Sequence, residues 1–107
     1  SDNRLTALLE QVDLPILKIN HLLYIIAVNS VFQTLTGVHQ SELLGRNINV
    51  FPQILEKILE LSNESFYLKA DSFITHKKLI WHLTKICPTP DETSHYYLLI
   101  GIEQPNE

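Results

Sequence analysis

The sequence contains no methionine, one cysteine, one tryptophan and only three glycines among 107 residues. A single cysteine, Cys87, allows neither an internal disulfide nor a thiolate zinc cluster. In the apolar stretch where it sits it reads as a small hydrophobe. Wholly apolar runs last only a few residues, so no membrane insertion is expected, and there is no signal-peptide pattern. Basic residues are few and scattered, 8 against 12 acidic, for a net charge of −4; Lys77-Lys78 is the only adjacent basic pair. Binding to nucleic acid or anionic lipid through charge is therefore not expected. The five histidines, His21, His39, His76, His82 and His95, have no metal-ligand spacing, and no metal site is predicted. A glycine-rich phosphate loop and a Gly-x-Ser-x-Gly elbow are both missing, so no catalytic residues are assigned and an enzyme is not expected. Without methionine the chain has no start residue of its own, and it is read as a piece of a longer protein.

What is present is a core. Hydrophobic residues make up 45% of the chain, and the length fits one domain able to bury them. Leu5, Leu8, Leu9 and Val12 fall on one helical face, predicting a flanking helix over residues 1–13 that ends before Pro15. It is too short to hold in water alone and must pack on its own domain or on another chain. Residues 14–107 then form the domain. Ile16–Asn20 and Ile25–Val28 read as strands from their β-branched content. Asn29, or Ser30 with Gln33, caps a short helix that Gly37 closes, and Ser41 to Leu44 makes another turn closed by Gly45. Phe51 to Leu61 is the strongest helical stripe, with Asn49 as its cap and Pro52 in its first turn. Strands are expected within Phe66–Thr75, over Leu79–Cys87 and over Tyr96–Ile102. Segregated strands and helices give an α+β class with a mainly antiparallel sheet.

The run Asn29-Ser30-Val31-Phe32-Gln33-Thr34-Leu35-Thr36-Gly37, followed by Ser41-Glu42-Leu43-Leu44-Gly45, resembles the PAS (sensory box) family. The resemblance extends from about Leu14 onward, with Trp81 on the penultimate strand. Asn20 and Leu23 stand where the family has Asp and Gly in its first hairpin, and His39 replaces a Ser or Thr cap. Ile102-Glu103-Gln104-Pro105 departs from the family's usual exit into a signalling helix. The resemblance implies a PAS-like five-stranded antiparallel sheet with short helices on one face. It further implies a cytoplasmic, bacterial sensory domain attached to a histidine kinase, diguanylate cyclase or transcription regulator.

For the chemistry, Gly45-Arg46-Asn47-Ile48 puts Ile48 where the covalent flavin photoreceptors of the family carry cysteine, so covalent flavin is not expected. The long helix has no histidine, so haem is not expected either. An unknown small apolar molecule remains as a ligand. Phe32, Leu35, Phe51, Ile54, Leu55 and Ile58 from the helices would line its pocket, with Trp81, Leu83, Leu98 and Ile100 from the sheet. The same side chains could instead simply fill the core. Arg46 and Lys57 are the nearest basic residues and read as exposed, which disfavours an anionic metabolite. The Leu5, Leu8, Leu9 and Val12 stripe suits a homodimer, the alternative being a ligand-free dimerisation and interaction module.

Overall fold

A computed structural model describes residues 7, 8, 10–61, 67–70, 79–88, 90 and 94–103. In chain order these form β1 (Ile16–Asn20), β2 (Ile25–Val28), α1 (Ser30–Thr36), 3-10 turns at Gln40–Glu42 and Ile48–Val50, α2 (Pro52–Glu60), β3 (Tyr67–Ala70), β4 (Leu79–Ile86) and β5 (Tyr96–Glu103). Residues 7, 8 and 10 are helical, while Leu5 and Leu9 of the flanking stripe lie outside the described residues. So do Phe66 and residues 71–75 of the expected third strand.

The strands lie in the order β2-β1-β5-β4-β3, every neighbouring pair antiparallel. The fold is therefore α+β. Register decides which side chains share a face, because directly paired residues point the same way. Leu17 pairs with Val28 and Leu99, and Leu99 with Leu83; Trp81 pairs with Gly101. This face meets Phe32 of α1 and Ile54 and Ile58 of α2 in one buried cluster.

Two positions expected on that face are not there. Leu98 pairs with Lys18 and Thr84, and Ile100 with Ile16 and His82, so both point to the opposite side of the sheet. The inward residue is Leu99, 1% exposed. β5 is apolar on both faces, so its sequence pattern carries no phase. The outer face is half-buried, with the Lys18 ammonium 4.3 Å from the centre of the Tyr96 ring.

Asn29 and Gly37 set the two ends of α1. Asn29 caps α1, its Oδ1 accepting from the Phe32 N–H, and Gly37 ends it at φ 74° in the left-handed region. His39 does the work of the absent Ser or Thr: its Nδ1 accepts from the Ser41 N–H at 3.1 Å. Asn49 does not cap α2. Asn47 caps the preceding 3-10 turn through the Asn49 N–H, and α2 starts at Pro52 after Phe51, with no side-chain cap. Proline at the first position needs no N–H partner there. In the first hairpin Asn20 Oδ1 accepts from the N–H groups of Leu22 and Tyr24, at 3.0 and 2.9 Å. Leu23 takes φ 72°, a conformation suited to glycine, while its side chain packs against the core.

Candidate functional site

The centre of the domain is aromatic. Trp81 and Phe32 are both fully buried, their ring centres 6.0 Å apart and edge-on. Phe51 meets Phe32 at 6.0 Å, also edge-on. Such edge contacts add roughly 0.5–1.5 kcal/mol to the burial of the rings. Of the residues expected to line a pocket, Phe32, Ile54, Ile58, Trp81 and Leu83 come together here, and Leu35, Phe51 and Leu55 pack against them.

Asn29 joins this core to the start of the sheet. It is the only charged or polar residue fully buried among those described. Its Oδ1 also accepts from the Ile16 N–H at 3.0 Å, and its Nδ2 donates to the Leu14 carbonyl at 2.6 Å. One amide thus holds α1, β1 and the segment before β1. Beside it, the Glu10 carboxylate accepts from both the N–H and the hydroxyl of Ser30, at 3.2 and 2.8 Å. α1 has no acidic residue in its own first turn, and Glu10 supplies a negative charge to its N-terminal end from outside. Sequence reading had no means of pairing residues so far apart.

A cavity of about 210 Å³ lies on the flank of α1. Val31 and Leu35 form its helical wall, and Leu14, Pro15 and Leu79 close it from the sheet side. Asp13 stands at its exposed edge, and Gly101 supplies a wall without a side chain. A β-carbon on Gly101 would come within 2.9 Å of both Pro15 Cγ and Trp81 Cζ3. Gly101 was not singled out from sequence, although a glycine inside an apolar strand signals close approach of neighbouring groups. Of the predicted pocket residues only Leu35 lines this cavity.

At the far end of the sheet the Tyr97 hydroxyl lies 3.3 Å from His95 Nε2. Burial, and then the neighbouring Cys87, raise the Tyr97 phenol above its ordinary value. Among the described residues no three His, Cys, Asp or Glu side chains gather as a metal site. No described helix is long and apolar enough to cross a membrane. Leu8 and Val12, the described part of the flanking stripe, are exposed.

No family model matches the sequence, and no curated protein matches it. Solved structures do. The PAS domain of BvgS from Bordetella pertussis superposes with a TM-score of 0.75 at 14% identity, covering 98% of this chain and 87% of its own. The PAS domain of an HTR-like protein from Haloarcula marismortui gives 0.69 at 22% identity, with 96% of each chain covered. A sensory box sensor histidine kinase from Vibrio cholerae gives 0.67 at 17%, covering 97% of this chain and 93% of its own. The chain has the PAS fold. The structure places the motif residues Asn29, Gly37 and Gly45 at the two ends of α1 and after the first 3-10 turn. Asn29 caps α1 and pins β1, while both glycines take the left-handed backbone, at φ 74° and 83°. Gly45 also donates its N–H to the Ile25 carbonyl, laying the turn that follows against β2.

Proposed function

We propose that this PAS domain is a sensory relay that passes a change in its core to an attached output domain, of the histidine kinase, diguanylate cyclase or transcription-regulator kind. In this reading it works in the cytoplasm, as part of a bacterial signalling protein, without catalytic residues, covalent flavin, haem, or binding to nucleic acid. The fold neighbours named as sensor histidine kinases support the signalling role. The observation that carries it is the tie at Asn29: whatever moves Phe32 pulls on the Leu14 carbonyl and the Ile16 N–H through one buried side chain. Glu10 extends the tie to the flanking helix. Amide hydrogen exchange tests it. Leu35→Ala, which loosens α1 against the core, should speed exchange at Gln11, whose N–H bonds the Leu8 carbonyl. Faster exchange confined to α1, with Gln11 unchanged, would sink the relay.

A homodimer is the second reading. Ile80, Leu98 and Ile100 on the outer sheet face are only half-buried, Ile102 is 43% exposed, and Leu8 and Val12 are exposed. A second copy would cover them. Leu8→Asp with Ile102→Asp should then halve the mass seen by light scattering; an unchanged mass would remove this reading.

A further inference from the structure

We infer that the cavity between α1 and the end of the sheet where β4 begins and β5 finishes binds a small organic ammonium ion with a compact hydrocarbon body. The volume, about 210 Å³, exceeds that of an engineered apolar cavity of about 150 Å³ that takes up benzene. Hydrocarbon from Leu14, Pro15, Val31, Leu35 and Leu79 makes up about half of its lining, and polar groups make up the rest. Gly101 contributes bare backbone to the lining, because any side chain there would collide with Pro15 and the Trp81 ring.

Among the described lining residues Asp13 carries the one acidic side chain, and it makes no ion pair with any described residue. Among the described residues no basic side chain lines the space, so an anionic ligand would meet like charge at Asp13. Among the described lining residues a bare metal ion would find one carboxylate side chain and no His or Cys, too few side-chain ligands for any common ion. An ammonium group can place its N–H donors on Asp13 at the exposed edge while its hydrocarbon body fills the apolar part. The site is distinct from the interior under α2, where Phe32, Ile54 and Trp81 are fully buried against one another. It touches Val31 and Leu35, so an occupant presses directly on the helix that Asn29 and Glu10 tie to the N-terminal segment. Binding itself does not depend on the relay.

Benzylammonium is a suitable probe, titrated into the whole chain and followed by amide NMR. Shift changes are expected at Leu14, Val31, Leu35, Leu79 and Gly101. Neutral benzyl alcohol should bind about two- to fivefold more weakly, because Asp13 is exposed, and Asp13→Asn should remove that difference. Val31→Phe should fill the space and abolish the shifts without lowering the melting temperature; Leu35→Trp serves if that variant fails to fold. Shifts centred elsewhere, equal affinity for the alcohol, or binding that survives a folded filling variant would each overturn the inference. Binding with no change at the Gln11 amide would support the site and remove the relay.

Discussion

The carboxylate of Glu10 and the first residue of α1, Ser30, are joined by two hydrogen bonds across 20 positions of sequence. Both residues are exposed, so the join is open to solvent competition. A double-mutant cycle of Glu10→Gln and Ser30→Ala should give a coupling of about 0.5–1 kcal/mol, falling with added salt. Urea denaturation measures it. A coupling near zero would mean that the Glu10 contact does not help to hold the N-terminal segment.

Gly101 separates Pro15 from the Trp81 ring. Gly101→Ala should destabilise by about 1–3 kcal/mol, since the new methyl group has rigid neighbours on both sides. The same change at Gly37 has open space around it and suffers only from its positive φ. Thermal melting of the two variants separates crowding from backbone strain.

The face assignment of β5 has a direct check. Leu99→Ala should cost about 2–5 kcal/mol, whereas Leu98→Ala, on the half-buried outer side, should cost clearly less. Equal losses would argue that the register between β4 and β5 is shifted by one residue.

These positions also show what could be read beforehand. β1, β2 and α1 were legible because short-range chemistry defines them: β-branched runs, then Asn29 to open and Gly37 to close a helix. Trp81 and Leu83 were legible because β4 alternates, Leu79, Trp81 and Leu83 being buried between half-buried neighbours. Leu98 and Ile100 were misplaced because β5 gives no alternation to fix its phase. The cap of α2 was misassigned because Asn47 and Asn49 are both suitable residues, and only the backbone shows which N–H each can reach. The cavity at Asp13 and the Glu10 contact arise between distant segments, and local pattern carries no trace of either.

Alkaline pH supplies a further test. Tyr97 is an acid whose folded-state value is raised by burial and then by Cys87. The folded state therefore holds the phenolic proton more tightly than the unfolded chain does. Its contribution is complete below about pH 10 and is lost as pH rises from there through the raised value. Tyr97→Phe should flatten the fall of the urea midpoint over that range, with Tyr96→Phe as the reference. Parallel slopes for Tyr97→Phe and the parent chain would refute it.

The strand order has a consequence for how this chain folds. β1 sits between β2 and β5, so the middle of the sheet joins the first strand to the last. The β1–β2 hairpin alone is a two-stranded ribbon, which is marginal in water. On a ribosome, Leu17 and Ile19 must wait for Leu99 and Tyr97 to emerge before their second neighbour exists. Closing so long a loop is slow, and until it closes an apolar strand edge stays open to other chains. Folding yield should thus be more sensitive to crowding during synthesis than the stability of the finished domain suggests.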